Sequence, residues 1–261
     1  MAGTVGRIPD GSRAPRRGAG IQRISRVPRW PVVCGALALL CVVAALWRPW
    51  SGSAPDVRRA ANLAAPGDLV VFFGDSITQG YGVRTEESFP ALVSHALGVP
   101  MVNAGVPGDT MGAGLARMER DVLPHRPRLV VVEFGGNDFL RRVPLEETLR
   151  DLEAIVGGLV DAGMMVVVLE VNVGLGGDPY LTGFQAVADR HRAVLIPDIM
   201  RGILSNPDLK ADTIHPNARG HRRIADRVIP VLRRLLREAD RRRSSAGRTP
   251  EFSLPGFAVV G

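Results

Sequence analysis

Residues Leu69 to Gly80 read LVVFFGDSITQG, and the architecture follows from them. Leu69–Phe73 is apolar without polar alternation, the pattern of a short strand buried on both faces, as in parallel sheets. The run stops at Gly74, and Asp75-Ser76 lie just past its carboxyl end. In open α/β sheets, ligands settle in the crevice outside those ends. Ser76 therefore stands where a nucleophile is useful. A hydroxyl alone is a weak nucleophile. It needs a base, a group that orients the base, and donors for an oxyanion.

Outward from this stretch the same grammar repeats. Strand candidates are 69–73, 100–103, 128–134, 164–170 and 193–197. Amphipathic stretches fall at 86–98, 109–125, 144–162 and 180–192, and a last helix at 217–237. Strands separated by helices of this length predict βαβ units, hence an α/β fold with a five-stranded parallel sheet and helices on both faces.

Three further segments offer the missing parts. Asn103–Thr110 (NAGVPGDT) is a glycine- and proline-bearing loop after a strand. Its backbone N–H groups, Gly108 included, would face negative charge at a helix start, with Asp109 or Thr110 as N-cap. An ordinary βα loop is the alternative. Gly135-Gly136-Asn137-Asp138 follows strand 128–134, and the Asn137 amide is a neutral donor suited to an oxyanion. In isolation the same four residues make a self-bonded turn. In Asp212-Thr213-Ile214-His215-Pro216-Asn217, Pro216 holds His215 out of helical dihedrals. Asp212 is close enough to orient the imidazole, and Asn217 can cap the last helix. His221 is the one rival base. His95 and His191 fall on helices, and His125 in an Arg/Pro-rich connection. Asp75 and Asp138 read as carboxylates that hold loops.

Charge is distributed unevenly. Residues 1–65 carry 10 Arg against 2 acids and residues 233–261 carry 7 Arg against 3, whereas 66–232 carry 16 basic against 21 acidic residues. The mildly acidic middle, with no basic stripe interleaved with aromatics, argues against nucleic acid as a partner. Both cysteines, Cys34 and Cys41, precede the expected domain, leaving it no internal disulfide and no thiolate metal site. Residues 1–29 read as a basic, disordered, cytoplasmic segment. The uncharged run Pro31–Trp47 would span about 25 Å as a helix. With Trp30, Trp47 and Trp50 at its ends, 30–50 reads as a transmembrane signal-anchor. Cleavage as a signal peptide near Ser51–Ala54 is the alternative. The expected layout is then a linker at 51–66, the domain at 67–237 on the extracytoplasmic side of the membrane, and a disordered tail at 238–261.

Taken together, Gly74-Asp75-Ser76, Gly108 in NAGVPGDT, Asn137 in GGND and Asp212-x-x-His215 resemble, in order, the four marks of the SGNH hydrolases, also called GDSL esterases and lipases. The chain is similar above all to compact bacterial members grouped with arylesterases, lysophospholipases and thioesterases. The resemblance implies a flavodoxin-like three-layer α/β/α sandwich. It implies Ser76 as nucleophile, His215 as base and then acid, and Asp212 as its orienter. The oxyanion hole would be the Ser76 and Gly108 backbone N–H groups with the Asn137 side chain. No metal or other cofactor is implied, and the substrate would be a small acyl ester cleaved through an acyl-enzyme. A cell-envelope carbohydrate O-deacetylase, a lysophospholipase and a non-catalytic binding protein on the same fold are the alternatives. One stretch departs from the compact members. Glu170-Val171-Asn172 runs into Gly174–Asp178 where a proline-containing loop is expected, beside the presumed acyl pocket. Phe139, Leu140 and Leu175 are candidate apolar contacts there.

Overall fold

A computed structural model describes residues 55–172 and 179–246 of the chain. The basic segment, the signal-anchor expected at 30–50, the loop 174–178 with Leu175 and the tail beyond 246 lie outside the described residues. Among those described, no helix is long and apolar enough to cross a membrane.

Five parallel strands form one sheet: β1 Val70–Gly74, β2 Met101–Gly105, β3 Leu129–Glu133, β4 Met165–Leu169 and β5 Val194–Ile196, in the order β2-β1-β3-β4-β5. Valine and other branched or aromatic side chains fill four of them, and every residue of β1, β3, β4 and β5 is buried. Such residues suit a pleated surface covered on both sides. β2 lies at the edge, is only half-buried, and tolerates the polar Asn103.

Alternate residues feed two cores. Val70, Phe72, Leu129, Val131, Met165 and Val167 point to one face and pack under α2 (Phe89–Leu97) and the long α7 (Ala218–Ala246). Val71, Phe73, Val130, Val132, Val166 and Val168 point to the other. There they meet α3 (Met111–Asp121), α5 (Leu145–Asp161) and α6 (Pro179–His191). The result is a three-layer α/β/α sandwich. Two short helices complete it, α1 (Ser76–Gln79) after β1 and α4 (Gly136–Leu140) after β3.

Two expected boundaries are corrected. Residues 55–66 are not a free linker. A 3-10 turn at Val57–Arg59 and the buried Val57, Ala60, Ala61 and Ala65 pack on the domain. Asn62 Nδ2 donates to the carbonyls of Val160 and Met164 at 2.7 and 2.9 Å. Small alanines carry little hydrophobic signal, so this packing is faint in the sequence. The last helix does not stop at 237. Ala239 is fully buried, and Glu238 pairs with Arg241 and Arg242 one turn on, carrying α7 to Ala246.

Register places the site. Gly74 lies level with Gly105 on one side and Glu133 on the other. The loops leaving β1, β2 and β3 therefore start side by side. The chain runs from β1 outward to β2, then crosses to β3 on the other flank, so the sheet's switch point falls beside β1. A crevice opens there at the carboxyl ends of the strands.

Candidate active site

Ser76 is placed by the turn that ends β1. Asp75 caps α1, its Oδ1 accepting from the Ile77 backbone N–H at 2.9 Å, and Ser76 is the first helical residue. Gly80 closes the short helix at φ +88°. The helix lies so close over the strand ends that a Cβ on Gly74 would come within 2.2 Å of Thr78 Oγ1 and 2.5 Å of the Glu133 carbonyl. A Cβ on Gly105 would come within 2.3 Å of the Gln79 backbone nitrogen. Glycine at both strand ends is what lets α1 sit there.

His215 arrives from the far end of the sequence. Its Nε2 lies 3.0 Å from Ser76 Oγ, and its Nδ1 lies 2.7 Å from Asp212 Oδ2. The other Asp212 oxygen accepts from the Ile214 and His215 backbone N–H groups at 2.9 and 2.8 Å. These bonds, the one from the His215 backbone first, hold the Asp212 carboxyl down at about 2. It is therefore a carboxylate at any working pH. It accepts the hydrogen bond from Nδ1–H and leaves Nε2 as acceptor for the serine hydroxyl. The loop itself is braced. Lys210 and Pro216 form an antiparallel bridge. Asn217 caps α7 through the Arg219 and Gly220 N–H groups, and its Nδ2 donates to the carbonyls of Asp208 and Lys210. The rival His221 is fully buried in α7, where its Nδ1 accepts from the Phe89 N–H at 3.3 Å. Burial pushes it down to about 4, and it does not line the Ser76 cavity.

Asn137 lies on α4, not on a simple turn, and borders the same cavity as Ser76 and His215. Its Nδ2 donates to Asp75 Oδ2 at 2.9 Å and to the Asp109 carbonyl at 3.0 Å, so both amide hydrogens are engaged. Gly108, at φ +84°, stands next to that carbonyl in the β2–α3 loop. It is not among the residues lining the cavity, and its own carbonyl accepts from Arg141 at 2.7 Å. Thr110, not Asp109, is the N-cap of α3. Asp138 holds the loops as expected, accepting from the Met111 N–H and from Thr148 Oγ1.

Several supporting residues escaped the sequence reading. Asp75 is more than a loop carboxylate. It links α1 to Asn137 and stands beside Glu133, which accepts from Thr78 Oγ1 at 2.7 Å. Burial raises Asp75 to about 6. Burial and the Asp75 charge together push Glu133 well above the carboxylate range. The signal was the lone charge ending LVVVE. Arg117, buried on α3, donates to the Gly74 and Ala104 carbonyls, pairs with Asp109 at 2.6 Å and stacks over the Phe73 ring. It thereby ties the ends of β1 and β2 to the NAGVPGDT loop. The Tyr81 ring lies 4.6 Å from that of His215.

The cavity holds about 150 Å³. Beyond the polar groups its walls are apolar: Phe139 and Leu140 as anticipated, with Val171, Met200, Leu204 and Ile214. Among the described residues no group of three His, Cys, Asp or Glu side chains could hold a metal ion. Chemically, the arrangement can move a proton from a hydroxyl to an imidazole beside an apolar pocket.

The model of the GDSL-like lipase/acylhydrolase family matches residues 72–223, more than half of the chain. An arylesterase of Vibrio mimicus is 30% identical over 184 residues, covering 66% of this chain and 91% of the relative. Thioesterase 1/protease 1/lysophospholipase L1 of Escherichia coli K12 is 31% identical over 181 residues, covering 66% and 87%. The crystal structure of TesA superposes with a TM-score of 0.59 at 31% identity, covering 64% of this chain and 99% of that one. The chain therefore belongs to the GDSL-like lipase/acylhydrolase family and is an ester-hydrolysing serine hydrolase.

Proposed function

We propose that Ser76, His215 and Asp212 are the catalytic triad of an esterase acting on small acyl esters through an acyl-enzyme. The observation that carries this reading is the unbroken hydrogen-bond chain from Asp212 through His215 to Ser76, at 2.7 and 3.0 Å. Ser76 Oγ attacks the carbonyl carbon while Nε2 of His215 takes its proton. The tetrahedral oxyanion is received by the Ser76 and Gly108 backbone N–H groups and by Asn137. To donate, Asn137 exchanges the Asp109 carbonyl for the oxyanion and keeps its bond to Asp75. The intermediate collapses, and His215 protonates the departing alcohol or thiol. Water then repeats the cycle on the acyl-enzyme, yielding the carboxylic acid and free Ser76. Asp212 stabilises the imidazolium formed twice along the way.

The apolar walls favour a hydrocarbon acyl group over a sugar in the cavity. The names of the relatives extend the candidates to aryl esters, thioesters and lysophospholipids. The uncharged run Pro31–Trp47, with tryptophans at its ends and an arginine-rich leader, supports a single-pass anchor at 30–50 that places the domain outside the cytoplasm.

A fluorophosphonate probe on the full chain tests the triad. Labelling of wild type and none of Ser76→Ala is expected; equal labelling of both would sink the assignment. A panel of p-nitrophenyl esters, an acyl-thioester, a lysophospholipid and acetylated xylan then ranks the substrates. Faster turnover on acetylated xylan than on every acyl ester would overturn the apolar-acyl reading while leaving the triad standing.

A further inference from the structure

At the opposite edge of the sheet lies a cavity whose charges the chain's own groups leave unmatched. Asp68 precedes β1, Pro100 precedes β2 and Arg128 precedes β3. The cavity, of about 480 Å³, thus opens at the amino ends of these strands, beside the later turns of α7. At about 3.3 Å per residue, a five-residue strand separates it from the Ser76 edge by roughly 17 Å. Arg128, Arg233, Arg237 and Arg243 line it, against Asp68 and Asp240.

The two carboxylates are already engaged by two of the arginines. Asp240 Oδ1 accepts from Arg128 Nη2 at 2.8 Å and from Arg243 Nη2 at 2.9 Å. Asp68 Oδ1 lies 3.4 Å from Arg243 and 3.9 Å from Arg128. Among the described residues, Arg233 has only the Ala96 carbonyl, at 3.3 Å. Arg237 has no hydrogen-bond or ion-pair partner among the described residues. These two stand four apart on one helix, where like charges are neighbours and repel. Arg128 is almost fully buried, and its Nε has no acceptor. An uncompensated pair of guanidinium forks at the mouth of a polar cavity, in front of an under-satisfied third, is a binding geometry for an anion with several acceptor oxygens.

We propose that this cavity binds a phosphate-type oxyanion, gripped by Arg233 and Arg237 at the mouth with Arg128 and Arg243 behind. Asp68 and Asp240 repel an anion from their end of the cavity, so it sits by the Arg233–Arg237 turn of α7, away from the Asp240 turn. The cavity is larger than a phosphate, which leaves room for the group that carries it. A soluble phosphate ester and a phospholipid headgroup share this chemistry.

The test uses the full chain, the Arg233→Gln/Arg237→Gln double variant, and Arg150→Gln, at an exposed position of α5, as control. The melting temperature is followed against inorganic phosphate at constant ionic strength. Binding to phosphatidylcholine vesicles with and without phosphatidylglycerol is followed by sedimentation. A saturable rise in melting temperature with phosphate, kept by the control and abolished or weakened at least about tenfold in the double variant, supports a soluble phosphate ligand. No such rise, but excess binding to phosphatidylglycerol that the double variant alone loses, supports a headgroup. The proposal fails if the double variant matches wild type in both assays, or if wild type responds in neither. Esterase activity is not read, so failure here leaves the triad untouched.

Discussion

Asp212 is nearly half-exposed, and its removal leaves no buried charge behind. Its task is to hold one tautomer of one imidazole. Asp212→Asn is therefore expected to keep its melting temperature and lose activity by roughly 10²–10⁴, as wrong-tautomer variants of such triads do. Ester turnover beside a thermal melt checks both halves. Asp75 and Glu133 carry a different expectation. Burial raises both, so between pH 4 and the neutral range this pair holds more protons in the folded protein than in the unfolded chain. The pair's contribution to stability then falls as pH rises through that window, while buried His221, held down at about 4, works in the opposite sense there and is common to wild type and variant. Asp212 also works in that opposite sense, but its contribution is lost only below pH 4, outside the window. In Glu133→Gln the amide oxygen still accepts from Thr78, and the second charge is gone. Its melting temperature should decline less than wild type between pH 5 and 8; parallel curves would show that the pair holds no extra proton.

Elements position the site through close approach, and glycines make it possible. In Gly105→Ala the new Cβ would strike the backbone of α1. α1 carries Ser76 and cannot shift without moving it. The variant is expected to lose about 2–4 kcal/mol of stability, as backbone overpacking does, together with most of its ester turnover. Denaturant melts and an esterase assay read the two effects. This scale also shows what was legible in the sequence. The strands were legible because LVVFF, LVVVE and MVVVL are short unbroken apolar runs rich in Val, recurring between stretches of helical period. The two shortest helices were not, since GDSITQG and GGNDFL read as turns, and four- or five-residue helices have no periodicity to detect. His215 and Asp212 were found because Pro216 and their spacing constrain them locally. The tie of Arg117 to the carbonyls of Gly74 and Ala104, and the Asp75–Glu133 neighbourhood, join residues far apart in sequence, and local pattern cannot show them.

Across the whole molecule, the two ends of the described chain close on each other. Val57 packs with α7, and Arg234 and Arg243 reach the carbonyls of Pro55 and Gly67. Reading 238–261 as a tail missed this, because past Leu235 and Leu236 only one small apolar residue, Ala239, continues the seam among Arg237 and Arg241–Arg243. Truncation after Arg237 removes Ala239 from the core and Asp240 from the buried Arg128. It is expected to lower stability by roughly 2–4 kcal/mol, whereas truncation after Ala246 keeps both contacts; comparative thermal melts decide. The bracing of the Asp212–His215 loop has its own consequence. The acid and the imidazole ride on one short cassette pinned at Lys210, Pro216 and Asn217, whereas the hydroxyl belongs to the sheet. One hydrogen bond spans the seam between them, so gentle warming should part the cassette from the sheet before either loses its shape. Turnover would then fade a few degrees below the melt and return in full on cooling.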